Sequence, residues 1–287
     1  MIHIQGAFVC WLVLGIALSF PIHAQEKYKD FDDAFIAGAR HVRASRHAES
    51  IEPLEAALKL ATHDEQRLKA YQALVPADRQ LPEIDKMLAA QEFVIRHTER
   101  KAGRSLAAGD VASFLFQRGK LDAGIERYDA LLKQNPKDPA ALAILATIFT
   151  QAKRNNPRGP ELKTQLDDLD RDLARKLAER LEKDAESAPR TSASHLKDAA
   201  TAWLEAGDKT KALAAAKKSV AGPPEQRSQI LVYQWHSGLG DVFLQAGEPQ
   251  QAISQFEAAL ASTDQPALKN TLEKKLAEAR GADKSKP

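Results

Sequence analysis

Leu239 to Leu260 reads LGDVFLQAGEPQQAISQFEAAL, and its spacing allows very few shapes. Leu239 and Phe243 lie one helical turn apart, so they form the apolar stripe of a first helix. Gly247 stands where that helix must stop, because glycine enters the left-handed C′ conformation without a Cβ penalty. Pro249 can open the next helix, where a missing N–H is harmless. Ala252, Phe256 and Ala259 then share one face of this second helix. Gly240 and Ala252 are small, which lets the two helices approach closely. The stretch predicts two antiparallel helices joined by a tight turn, with Ala259 leaving room for a third.

The same spacing returns elsewhere. Trp203, Gly207, Ala212 and Pro224 repeat it, as do Leu115, Gly119, Tyr128 and Pro136, with Gly124 in place of the small Ala. These residues resemble the tetratricopeptide repeat, a helix–turn–helix unit of about 34 residues with the pattern W-x2-L-G-x2-Y…A-x3-F…P. Two departures mark the C-terminal copy: His236 takes the Trp position, with Trp235 one residue early, and Pro266 comes two residues late. The clear copies lie near 105–138, 193–226 and 233–266. Weaker ones lie near 31–64, where Gly38, Leu54 and Ala57 keep register, near 65–100 and near 139–190. The resemblance implies an all-α, right-handed solenoid of stacked hairpins over 25–266. One hairpin cannot bury its apolar face alone, so neighbours must stack, and the last needs a cap with a polar outer side. Residues 267–280, with Leu268, Leu272 and Leu276 in a stripe, are the expected capping helix. Gly281 is expected to end it, leaving 281–287 as a frayed tail.

Segment 161–186 breaks the pattern. Leu162, Leu166, Leu169, Leu173, Leu177 and Leu181 run at steps of three and four, which predicts one helix about 39 Å long. Its other face alternates acid and base, with Asp167/Arg171, Asp172/Lys176 and Glu179/Lys183 at i,i+4 spacing. The expected role is an elongated second helix of the fourth hairpin with a solvated face. The alternative is a leucine seam that joins two subunits.

The first residues have a separate meaning. Gly6 to Phe20 is apolar and uncharged over about 15 residues, Pro21 follows, and Ala24 offers a small residue before Gln25. This is the pattern of a secretory signal peptide over 1–24, although no Lys or Arg precedes the apolar run. The run is shorter than the roughly 20 residues that a spanning helix needs. Export to the periplasm or the exterior is therefore expected, with no membrane span in the mature form. The single cysteine, Cys10, lies inside this segment, so the mature chain would carry no thiol.

The charge balance, 41 Lys and Arg against 39 Asp and Glu, argues against a nucleic-acid partner, which a clustered basic excess would mark. Chemistry is equally hard to place. The histidines of the mature chain, His41, His47, His63, His97, His195 and His236, include no i,i+4 pair, and HExxH is absent. Gly207-Asp208-Lys209-Thr210 lacks the upstream glycine of a phosphate loop, and there is no G-x-S-x-G elbow. No catalytic residue, metal site or cofactor is expected.

In the resembled family, first helices line the concave side and hold peptides or partner helices. Carried over residue by residue, that side holds Ser113, Phe116 and Gln117, then Thr147 and Gln151. Further along it holds Lys197, Thr201 and Glu205, then Gln234, Ser237, Asp241 and Gln245. Leu106 maps to the same side as Phe116. Some family members clamp a terminal carboxylate with Lys, Asn and Arg. Lys197 keeps that place here, but Thr201, Ser113 and Asp241 replace the Asn positions. The sequence thus predicts a non-catalytic scaffold or adaptor for a polypeptide partner. The alternatives are a module for a non-protein envelope polymer such as glycan, or a structural homo-oligomer through helix 161–186.

Overall fold

The structure, a computed structural model, describes residues 27–78, 84–153, 156–222 and 228–284. The expected signal segment, Pro224 and residues 285–287 lie outside them. Among the described residues thirteen helices follow one another: α1 Phe31–Arg43, α2 His47–Leu60, α3 Asp64–Asp78, α4 Ile84–His97, α5 Lys101–Gln117, α6 Leu121–Gln134 and α7 Pro139–Gln151. Then come α8 Arg158–Ser187, α9 Ser192–Glu205, α10 Lys209–Ala221, α11 Gln229–Ala246, α12 Pro249–Ala261 and α13 Pro266–Lys284. They pair as six hairpins with α13 against α12, an all-α solenoid of the expected kind.

The turn residues act as the spacing implies. Gly119, Gly207 and Gly247 have φ of 63°, 83° and 89°. The residue after each donates its N–H back across the turn: Lys120 to Leu115 O, Asp208 to Trp203 O and Glu248 to Phe243 O, at 2.8–2.9 Å. This closes the helix end by satisfying carbonyls that have no partner in the helix. The second helices start on Pro249 and on Asp208, whose side chain accepts from Lys211 N. Between the paired helices the close approach is literal. A Cβ at Gly240 would stand 2.4 Å from Cε1 of Phe256, so only glycine fits beneath that ring. Tyr128, Trp203, Ala212, Leu239, Phe243, Ala252, Phe256 and Ala259 are all buried, and Gly124 lets Leu115 press against its backbone.

Three findings differ from the sequence reading. Helix α13 runs through Gly281 to Lys284, and Gln250 Nε2 donates to Asp283 Oδ2 at 2.5 Å, so 281–284 are helical and not frayed. Nothing crowds Gly281, and a flanking contact outweighs its weak helix propensity. Helix α8 is longer than expected, 30 residues, because Gly159 and Pro160 sit in its first turn, where proline is harmless. Its leucines face inward. Leu162, Leu166 and Leu169 pack in a central core, and Leu177 and Leu181 pack in a C-terminal one. These contacts with α7 and α9 use the stripe that a second subunit would need.

The polar face of α8 is also rearranged. Lys163 pairs with Asp167 at i,i+4, while Arg171 pairs with Asp168 and Arg175 with Asp172 at i,i+3. Asp170 is not solvated: it is buried, and Arg104 of α5 holds it. Long side chains on a helix choose among several neighbours, and the choice made here follows what α5 presents.

Candidate functional site

The residues expected to meet a partner come from the first helix of successive hairpins, α5, α7, α9 and α11. The structure brings part of that set together. Ser113, Phe116 and Gln117 of α5 and Gln151 of α7 line one open recess of about 400 Å³, with Ala112 and Ala152 as its small walls. Phe116 is 68% exposed, so its ring is open to solvent at the recess. No charged side chain lines the recess. Two amides and a hydroxyl offer both donors and acceptors around an aromatic face. Leu106, also on α5 and 70% exposed, lies ten residues from Phe116, about 15 Å along the helix.

The remaining candidates are placed differently. Thr147 is half-buried and its hydroxyl donates to Ala143 O at 2.7 Å, one turn back. Thr201 does the same to Lys197 O at 3.2 Å. Lys197 lies 3.2 Å from Asp198, and its stem packs beside Gly238 of α11. Glu205 is half-buried, with one carboxylate oxygen out of contact with solvent. On α11, Gln234 and Gln245 are exposed, but Ser237 is buried. Lys275 of α13 donates to Asp241 Oδ2 at 2.7 Å and approaches Ser237 Oγ at 3.5 Å, with its ammonium 5.6 Å from the centre of the Phe256 ring. The cap thus covers the middle of the α11 set. An adjacent element supplies that cover, and the repeat spacing does not encode it.

Sequence reasoning missed a polar knot inside the central core. Glu92 of α4 is buried and accepts from Arg127 Nε of α6 at 2.9 Å, with Arg96 Nη2 at 3.6 Å. Arg96 in turn donates from Nε to Asp138 Oδ2 at 2.9 Å, and Asp138 caps α7 by accepting from Ala141 N. Burial pushes the Tyr128 phenol well above its usual range, and the nearby Glu92 carboxylate adds to the shift. These groups tie α4, α6 and α7 in fixed register. Their sequence separations of 35 and 42 residues left no local signal. Among the described residues no group of three or more His, Cys, Asp or Glu is placed to hold a metal, and no helix is long and apolar enough to cross a membrane.

Residues 112–155 and 231–267 match the family model of the tetratricopeptide repeat. Among solved structures, the chain is similar to a tetratricopeptide repeat protein from Parabacteroides merdae. The two share 13% identity over 87% of this chain and 98% of that one, with a TM-score of 0.30. No curated protein matches. The matched stretches fall on the end of α5 with α6 and α7, and on α11 and α12, where the turn glycines and the buried Tyr128 and Phe256 have just been described. By these residues the chain carries tetratricopeptide repeats over the two matched stretches.

Proposed function

We propose that this protein is an exported, non-catalytic adaptor that holds a polypeptide partner against the face presented by α5 and α7. The observation that carries the reading is the recess at Phe116. Four residues from two hairpins converge there around an exposed ring, without charge. An extended peptide can place an apolar side chain on the ring and pair its backbone with Gln117 and Gln151. Amide groups suit this task because each offers a donor and an acceptor. The apolar run Gly6–Phe20 followed by Ala24 supports export.

The test is capture. A photo-crosslinker at Gln117 in the exported chain should trap a polypeptide, and Phe116→Ala with Gln151→Ala should reduce trapping at least tenfold while circular dichroism stays unchanged. A glycan in the cross-linked product, or undiminished capture by the double variant, would overturn the reading. Gln234, Ser237 and Asp241 are poorer targets, since the cap engages two of the three.

A further inference from the structure

The apolar interior is divided. The central core takes in α4 to α7 and meets α8 at Leu162, Leu166 and Leu169. The C-terminal core begins again on α8 at Leu177 and runs to α13. The part of α8 from Asp167 to Arg180, which spans the boundary between them, is tied together with Asp198 of α9 by ion pairs to the α4–α5 turn and the first turn of α5. Arg180 holds both carboxylate oxygens of Glu99, one at 2.7 Å. Arg100 reaches Asp198 of α9 at 3.4 Å. Lys101 donates to Asp167 at 2.9 Å and lies 3.5 Å from Asp170. Arg104 donates from Nε and Nη2 to Asp170, at 3.1 and 2.7 Å, and from Nη1 to the carbonyls of Thr98 and Glu99, both at 2.8 Å.

These pairs are of two kinds. The Arg104 and Asp170 side chains are 2% and 5% exposed, whereas those of Arg180 and Glu99 are 52% and 50% exposed, and those of Arg100 and Asp198 are 36% and 39% exposed. A buried, multiply hydrogen-bonded pair is hard to separate, because either charge left alone is heavily penalised. Exposed pairs are individually weak and are screened by salt. We propose that the α4–α5 turn is an electrostatic latch. The Arg104–Asp170 pair is its pivot, Glu99–Arg180 and Arg100–Asp198 are its catches, and together they set the angle between the C-terminal hairpins and the central ones. Helix α8 is the shared strut, and long helices bend without breaking their hydrogen bonds. Each core keeps its own packing when the catches open, so the two arrangements lie close in free energy and a modest perturbation shifts the balance. The latch governs the curvature of the face on which α5, α7, α9 and α11 lie. It stands independently of the partner proposed above.

The test is a distance measured across the junction. In the full chain with Cys10→Ser, spin labels go on Lys59→Cys of α2 and Ser254→Cys of α12, both exposed sites. Pulsed electron paramagnetic resonance is recorded at about 0.01 M and about 1 M salt, between which the screening length falls from about 30 Å to about 3 Å. The distance distribution should broaden and its mean should move at high salt. Glu99→Gln with Arg100→Gln should show the high-salt distribution already at low salt and respond no further. Glu52→Gln, which removes the Lys27–Glu52 pair of the first hairpin, should behave as the unsubstituted chain does. A distance indifferent to both salt and the double variant would overturn the latch. So would loss of helical circular dichroism in the double variant, or a Glu52→Gln response equal to its own.

Discussion

The first hairpin, α1–α2, and the sixth, α11–α12, are built in one register from different residues. In the sixth, Gly240 lies beneath Phe256, Ala252 and Ala259 flank that ring, and Gly247 makes the turn. In the first, Gly38 lies beneath Leu54, Ser50 and Ala57 take the flanking places, and Ser45 makes the turn with φ of 57°. The backbone bond is the same in both, with Arg46 N donating to His41 O as Glu248 N donates to Phe243 O. The difference shows that the unit is defined by where bulk and emptiness fall. The aromatic ring and the turn glycine are the best means to that geometry, and leucine and serine are serviceable ones.

The comparison breaks most easily at its bulky residues. Phe256→Ala should destabilise by about 3–5 kcal/mol and Leu54→Ala by about 2–5 kcal/mol, since both side chains are wholly buried. Stability in stacked arrays is carried between nearest neighbours. Hydrogen exchange should therefore rise first in α10–α13 for Phe256→Ala and first in α1–α3 for Leu54→Ala. Protection lost evenly along the chain in either variant would count against the modular reading. A smaller difference lies in the glycines beneath. A Cβ at position 240 would meet the rigid ring at 2.4 Å, and one at 38 would meet Leu54 Cγ at 2.5 Å. Overpacking of this kind costs about 1–3 kcal/mol. Gly240→Ala should fall at the upper end and Gly38→Ala lower, because leucine can change rotamer where a ring cannot; urea midpoints measure both.

Finer still is the turn. A non-glycine residue in the left-handed region carries a penalty of about 1 kcal/mol. Gly247→Ser should therefore lose about that much, and Ser45→Gly should gain somewhat less, since glycine also loosens the unfolded chain. Thermal melts of the two variants should move in opposite directions. The smallest effect is one of pH, at the junction that neither hairpin contains. Hydrogen bonds from Lys163 and then Lys101 hold the Asp167 carboxyl below its ordinary range. A carboxylate depressed in the folded state contributes stability above its unfolded value, near 3.9, and loses it as pH falls through the folded value. Acid titration of the unsubstituted chain should therefore weaken the α5–α8 contact only below about pH 4. Asp167→Asn should remove that part of the pH dependence and, at neutral pH, give up the same small stabilisation of the α5–α8 contact, as exchange in α5 would report.

The hairpins were readable from the chain because their determinants are local. Gly247, Pro249 and Phe256 act within one unit, and their effect depends on spacing along two adjacent helices. The recess was half readable. Ser113, Phe116, Gln117 and Gln151 were assigned to one side by their place in each unit, and they meet because consecutive first helices lie side by side. Ser237 and Asp241 were assigned by the same rule, yet Lys275 reaches them from a helix outside the repeats.

Periodicity therefore settled the secondary structure, the pairing of neighbours and the buried set, since these depend on side-chain volume at intervals of a few residues. The Arg104–Asp170 pair, the Glu92 knot and the covering of Ser237 emerged only when distant helices packed together. Charges and hydrogen bonds select partners by proximity in space, and residues dozens of positions apart carry no record of that proximity in their order.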